Sequence, residues 1–191
     1  MLMLAAALLA QAAVAAAPPP QKAAPPQKPS GKVGACAWDK IEIADRNRIL
    51  EAYHRDRTEG LTLLVNLDAP VDAALRACAP PGNVATVFLH RALWAEMTQV
   101  GAAREMAASG VDRISLDAAW TGSAETARAC LHNRIGPNFG QLTPACADDA
   151  EDEIARPLNI QTVALRQQAS IYYLAKAEGE WAEMLIANSP F

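Results

Sequence analysis

The longest helical stretch of this chain, from Val84 to Ser109, is apolar on two sides rather than one. Its apolar residues form two series at helical spacing, which are Val84, Val87, Phe88 and Trp94 on one side and Leu89, Leu93, Met97 and Val100 on the other. A helix with one apolar stripe lies at a surface, whereas a helix with two is expected near the centre of a bundle. The chain is therefore predicted to fold around this segment, which Gly110 is expected to end.

Helical periodicity also runs through the rest of the chain. Further helices are predicted from Asp39 to Arg57, from Ala69 to Cys78, from Asp112 to His132 and from Asp148 onward, with breaks at 58–60, at Pro157 and at Gly179. No segment has the alternation of a half-buried strand. Aromatic residues make up only 5% of the chain, so alanine and aliphatic side chains must fill the interior, which favours closely packed helices. The predicted class is all-α, a disulfide-stapled helical bundle of about five to seven helices.

The N-terminal segment is typical of an export signal. Residues 1–17 carry no charge and only one polar side chain, and three prolines follow from Pro18. Ala15 and Ala17 suit signal peptidase, so cleavage is expected after one of them. A retained membrane anchor is the alternative, but the stretch is shorter than the about 20 apolar residues that a spanning helix needs. We therefore expect a periplasmic or secreted protein with no transmembrane segment in its mature part.

The chain is expected to continue as a disordered Pro/Ala/Lys-rich tether over residues 18–35 and a single α-helical domain over residues 36–191. The tether holds six of the 13 prolines and three lysines but no acid, which is a composition unsuited to a core. The domain carries all 21 acids and only 14 of the 17 Lys and Arg residues, for a formal charge of −7. Nucleic acid is therefore not an expected partner, because phosphate binding needs a basic face.

Four cysteines, an even set, indicate two disulfides in an oxidising compartment; they are Cys36, Cys78, Cys130 and Cys146. Their spacing alone allows three pairings. If the helices run up and down, Cys36 pairs with Cys78 and Cys130 pairs with Cys146, although Cys36–Cys146 with Cys78–Cys130 is a competing scheme. Each bridge is expected to contribute about 2–4 kcal/mol by restricting the unfolded chain.

One carboxylate occupies an unexpected position. Asp45 lies in the middle of an apolar stripe, where a carboxyl group must be paired, hydrogen-bonded or protonated. With Asp68 or Asp72 it would form an acid pair like that of glycoside hydrolases, which would make the protein an envelope hydrolase. The favoured interpretation is an ion pair or an interhelical cap, with Arg46, Arg48 or Arg91 as the partner.

A haem or metal site is the second alternative. His90 and Met97 are seven residues apart and share one side of the long helix, and His54 lies on the first predicted helix. Bundles hold haem iron through such inward-pointing side chains. The histidine spacing matches no metal motif, so packing or capping roles are favoured and no cofactor is expected.

The longest loop within the domain is the best candidate for recognition. It runs over residues 135–146 and includes Asn138 and Phe139, which lie between glycines and a proline. Loops held by a disulfide often carry binding residues. The first expectation is therefore an exported helical binding or accessory module, without catalysis, for an envelope protein or a small ligand that the sequence does not identify.

Overall fold

The computed structural model describes residues 32–135 and 144–189. Within these ranges the chain forms nine α-helices and one 3₁₀ helix, and no strand. The α-helices are α1 Val33–Lys40, α2 Ile43–Arg55, α3 Arg57–Asn66, α4 Asp68–Cys78, α5 Thr86–Ala107, α6 Arg113–Gly122, α7 Glu125–Ile135, α8 Pro144–Ala155 and α9 Val163–Ala187, and the 3₁₀ helix is Arg156–Leu158. The all-α prediction is confirmed. None of the described helices is both long enough and apolar enough to cross a membrane.

Two long helices, α5 and α9, form the centre of the bundle. They run antiparallel, because Phe88 meets Trp181 near one end while Gln99 reaches the carbonyl of Ala175 further along. The break predicted at Gly179 is wrong, since α9 is continuous over its 25 residues. This glycine instead allows a close approach: a Cβ there would lie 3.4 Å from the Cβ of Ala95 on α5.

The buried side chains form two clusters, and α5 and α9 contribute to both. The first cluster lies among α1, α2, α3, α4 and the start of α5, and its largest members include Trp38, Ile49, Leu64, Leu75, Leu93 and Met97. The second lies among α6, α7, α8 and the start of α9, and includes Met106, Leu116, Trp120, Leu131, Ile154, Tyr172 and Tyr173. The prediction that the long helix is central is confirmed for its Leu89, Leu93 and Met97 side, which is buried.

The first predicted helix is divided in the structure. Asp39 lies within α1 instead of capping a helix, and the chain is extended at Ile41 before α2 begins. The expected break over residues 58–60 is also shifted. Asp56 caps α3 by accepting hydrogen bonds from the N–H groups of Thr58 and Glu59, at 2.6 and 3.2 Å.

The helix predicted from Asp112 to His132 is likewise two helices. Asp112 caps α6 as predicted, because its carboxylate accepts from the N–H of Ser115 at 2.8 Å. The helix ends at Gly122, and α7 starts after a two-residue connection. Arg128 on α7 donates to the carbonyl of Trp120 at 3.3 Å, so a side chain satisfies the exposed end of α6.

The four cysteines lie in the two pairs that the up-and-down arrangement favours. Cys36 on α1 is bonded to Cys78 on α4, with the Cα atoms 5.8 Å apart. Cys130 on α7 is bonded to Cys146 on α8, with the Cα atoms 6.2 Å apart. The first bridge therefore joins α1 to α4, and the second closes the connection between α7 and α8.

Candidate functional site

The second apolar side of α5 is only half covered. It faces outward together with one side of α9, and we call the combined surface the aromatic face; it consists of Phe88, Arg91, Trp94, Leu174, Glu178 and Trp181. All six residues are intermediate in exposure, neither buried nor free. Two more apolar side chains near its end are open to solvent, Val87 at 54% and Met184 at 49%. Half-exposed aromatic side chains are the residues that protein interfaces favour.

The side chains of the aromatic face contact one another in a defined order. Phe88 meets Trp181 edge-on, with ring centroids 6.3 Å apart. The guanidinium of Arg91 lies over the Trp181 ring, 5.0 Å from its centroid. His90 contacts Trp94 with a centroid distance of 5.9 Å. These edge-on and cation–π contacts fix the rings without burying them.

A groove runs along this face between α9 and α3. Its volume is about 450 Å³, and its floor is formed by Trp94 and Leu174. Leu61 on α3 forms one wall, while the end of α7 closes the groove through Arg134 and Ile135. The groove is thus apolar below and charged at its rim, which is the usual composition of a ligand site.

Two groups within the groove are poorly satisfied. Burial raises the pKa of the Glu178 carboxyl, and the nearby Arg91 offsets only part of this effect. The indole N–H of Trp94 is shielded from solvent and finds no acceptor among the described residues. A ligand with a cationic group would compensate the carboxylate of Glu178.

A second concavity of about 590 Å³ continues from the groove. It shares Arg57 and Ile171 with the first and extends along α9 to Arg166 and Ser170. Six of its nine lining residues are charged or polar, and Glu151 pairs with Arg134 at 3.0 Å where the two concavities meet. The surface therefore becomes more polar along α9.

The opposite side of α5 and α9 is closed by α6, and we call it the ion-paired face; its members are Glu96, Arg113, Asp117, Trp120, His132, Tyr172, Lys176 and Glu180. Arg113 donates to both carboxylate oxygens of Glu96, at 2.6 and 3.0 Å. Asp117 accepts from the Tyr172 hydroxyl at 2.8 Å and from Lys176. These groups pair mutually across three helices.

The same pattern continues one turn further along α9. Glu180 accepts from the indole N–H of Trp120 at 2.9 Å and contacts Nε2 of His132 at 3.0 Å. Burial opposes ionisation of Glu180, but these hydrogen bonds outweigh it and lower its pKa. Burial also opposes ionisation of Asp117, but the hydrogen bonds from Lys176 and Tyr172 outweigh it and lower the pKa of this carboxyl. The charges of this face are satisfied within the protein, so we assign it a structural role.

The three acids of the predicted acid site, Asp45, Asp68 and Asp72, each lie beside a positively charged group or a helix N-terminus. Asp45 accepts from Arg48 at 3.2 Å, and this arginine is one of the partners expected from the sequence. Asp68 lies in the first turn of α4, where an acid suits the helix dipole. Asp72 lies 3.8 Å from His90 and 3.9 Å from Arg76. Each of these placements has a local electrostatic explanation.

The predicted haem or metal ligands lie in different surroundings. His54 is exposed and contacts Glu105 at 2.8 Å. His90 is half-buried beside Trp94, and Met97 is fully buried in the first core cluster. No group of three or more His, Cys, Asp or Glu suited to a metal ion occurs in the part of the chain that the structure describes.

The predicted recognition residues Asn138 and Phe139 lie outside the described residues. The end of α7 that precedes them, Arg134 and Ile135, closes the groove. Sequence reasoning missed Arg91, Glu178 and Trp181 as site residues. The sequence signal for this surface is the second apolar side of α5, a pattern that is also typical of a fully buried helix.

No family model, no curated protein and no solved structure matches this chain. The assignment of the site therefore depends on its geometry and chemistry alone.

Proposed function

We propose that this protein is an exported, non-catalytic helical binding module whose aromatic face takes a short segment of an envelope protein. The observation that carries the proposal is that Phe88, Trp94 and Trp181 lie half-exposed on one side of α5 and α9 beside a groove, in a chain with only ten aromatic residues. Trp, Tyr and Arg are enriched among the few residues that carry most of the binding energy of protein interfaces. Here Arg91 is already held against Trp181, so little order is lost on binding.

The shape of the groove favours an extended or helical peptide over a compact small molecule. The groove and its continuation follow α9 from Glu178 toward Arg166, one turn from Trp181, so a bound segment would lie along that helix. Apolar side chains of the ligand would cover Trp94 and Leu174.

Export supports this assignment independently. Both cysteine pairs are bonded, and an uncharged apolar segment starts the chain. Disulfides persist in oxidising compartments such as the periplasm. N-terminal sequencing of the protein from the cell envelope is expected to give a start near Ala16 or Pro18. Recovery of an intact Met1 form from the cytosol, with four free thiols, would contradict export.

Peptide selection tests the binding assignment. A phage library of random twelve-residue peptides is selected against the chain from Ala16 onward, and the enriched peptides are synthesised. Their affinity is then measured for the wild-type protein and for Trp181→Ala and Trp94→Ala. We expect losses of about tenfold or more in each variant, since interface tryptophans commonly contribute at least about 1.4 kcal/mol.

Ile114→Ala is the matched control for these variants. Ile114 is the most exposed large apolar residue described, at 79%, and it lies on α6 away from the groove. The control is expected to bind the selected peptides as the wild type does. Failure to enrich any peptide, or peptides that bind the tryptophan variants undiminished, would contradict the proposal.

A further inference from the structure

We propose that the resident occupant of the aromatic face is the chain's own Pro/Lys-rich segment, residues 18–31, which an external partner must displace. This inference rests on the proposed function, because it takes the aromatic face to be a peptide-binding groove. It identifies the chemistry of the ligand and adds a form of regulation. Four observations support it, on attachment, reach, side-chain chemistry and charge.

The point of attachment places the start of the segment at the same level along α9 as Trp181. The described chain begins at Lys32, directly before α1. Lys32 acts electrostatically on Glu180 and Glu183 of α9, and the N–H of Gly34 donates to Glu183 at 3.0 Å. Trp181 lies between these two acids in the sequence of the same helix. The segment therefore leaves the domain at the turn of α9 that bears the tryptophan.

The length of the segment matches the distance to be covered. Lys32 is on the ion-paired side of α9, so the chain must pass around about half of a helix that is roughly 10–12 Å across. That path takes about six residues at about 3.1 Å each. About eight residues remain, which span about 25 Å, while α9 advances about 15 Å from Ile171 to Trp181 at 1.5 Å per residue.

The side chains of the segment suit those of the face. Its six prolines are Pro18, Pro19, Pro20, Pro25, Pro26 and Pro29. Proline-rich segments dock on aromatic-lined grooves because their restricted backbone loses little entropy on binding.

Charge gives the segment a preferred register. Lys22 lies between Pro20 and Pro25, and Lys28 lies between Pro26 and Pro29. The segment contains no acid. The carboxylate of Glu178 lies at the middle of the aromatic face and is only partly compensated by Arg91. A lysine of the segment near Glu178 supplies the missing positive charge.

Zero-length carbodiimide cross-linking of the chain from Ala16 onward tests this arrangement. The reagent joins a lysine amine to a carboxylate only when they touch, and peptide mass spectrometry then identifies the pair. We expect Lys22 or Lys28 to link to Glu178 at least fivefold more often than to the exposed Glu125 on α7. Links from Lys32 to Glu180 or Glu183 form in the same sample and show that the reaction worked.

Mixing isotopically labelled and unlabelled chains separates the possible occupants. Links within single chains are expected. Links only between labelled and unlabelled chains overturn the proposal, because the occupant is then the segment of a second copy. Links from Lys22 and Lys28 spread evenly over exposed acids, with none enriched at Glu178, overturn it as well.

A triple variant, Pro19→Ala, Pro20→Ala and Pro25→Ala, gives a second measurement. It leaves the described domain unchanged and is expected to raise the affinity of the phage-selected peptides several-fold, because a competitor has been weakened. An unchanged affinity contradicts the inference. The proposed function itself is tested separately, since it stands or falls with the loss of peptide binding in Trp181→Ala.

Discussion

The two long helices present contrasting sides. On the ion-paired face, carboxylates, cations and ring N–H groups find partners within the fold, and α6 closes the surface. On the aromatic face, rings and a partly buried carboxylate are left half-exposed beside a groove. The difference shows that the clustered charged groups of the ion-paired face are explained by contacts within the fold. The unsatisfied side is the apolar one, and it is there that binding has something to gain.

The largest contrast is expected between two tryptophans of the same size. Trp120 is 3% exposed and donates to Glu180, whereas Trp181 is half-buried on the aromatic face. Trp120→Ala is expected to lower the free energy of unfolding by about 4 kcal/mol because it opens a cavity in the second core cluster. Trp181→Ala is expected to cost about 1 kcal/mol. Urea denaturation measures both, and equal losses would abolish the contrast between the faces.

The next test concerns the ion pair between Asp117 and Lys176. Asp117→Asn leaves the buried ammonium of Lys176 without its carboxylate, and we expect a loss of about 3 kcal/mol in the free energy of unfolding. The double variant Asp117→Leu with Lys176→Met removes both charges and is expected to recover most of this loss. A single-variant loss below about 0.5 kcal/mol would place the pair among ordinary surface contacts.

The pH dependence of stability is expected to differ in sign between the faces. Burial raises the pKa of Glu178 in the folded protein, so the stability given by its protonated form is present below the unfolded value near 4.5 and is lost as the pH rises through the folded pKa. In a chain that starts at Lys32, and so lacks the proposed occupant, Glu178→Gln is therefore expected to be more stable than its parent at pH 7, by less than about 1 kcal/mol, and equal to it near pH 3.5.

Asp117 provides the opposite case. Its folded pKa lies below the unfolded value, so its contribution is present above that value and is lost as the pH falls through the folded pKa. The loss of stability caused by Asp117→Asn is thus expected to shrink on acidification.

Glu153→Gln, on the exposed side of α8, removes one carboxylate outside both faces and serves as the charge control for these variants. A neutral-pH loss of stability in Glu178→Gln would show that its carboxylate is favourably paired.

The smallest effect is expected at the contact line between α5 and α9. Gly179→Ala places a methyl group 3.4 Å from Ala95 and from the amide nitrogen of Gln99, at the edge of normal contact. Gly122→Ala, near the end of α6, meets nothing within 4 Å and gains only helix propensity, up to about 1 kcal/mol. We expect the free energy of unfolding to increase by about 0.5 kcal/mol less in Gly179→Ala than in this control. Identical gains in thermal denaturation would show that α5 and α9 can separate slightly without cost.

The fold class follows from the sequence because helical periodicity is a local property. The two apolar sides of α5, the cap at Asp112 and the favoured cysteine pairing all depend on residues near one another in the chain or on simple up-and-down topology. Helix interruptions are harder to predict from the sequence. The tight contact of Gly179 with Ala95, for example, depends on α5, which is more than 80 positions away in the chain. A glycine that breaks an isolated helix is retained where a neighbour needs the space.

The candidate site could be predicted only in part for a related reason. Periodicity identified Phe88 and Trp94 as apolar but not whether another helix covers them. That depends on where α1, α3 and α6 pack, and α6 closes the opposite side through Arg113 and Glu96. The tryptophan on α9 could not be joined to them without the antiparallel pairing of α5 and α9.

The Cys36–Cys78 bond also has a mechanical consequence. If the N-terminal segment anchors the molecule to another body, any pull on it enters the domain at Val33, the first residue of α1. An eight-residue helix held only by packing would peel away turn by turn under such a load. Because the bond ties α1 covalently to the last residue of α4, the pull is shared by two helices from different parts of the chain, and the domain can bear tension at the end where it is tethered.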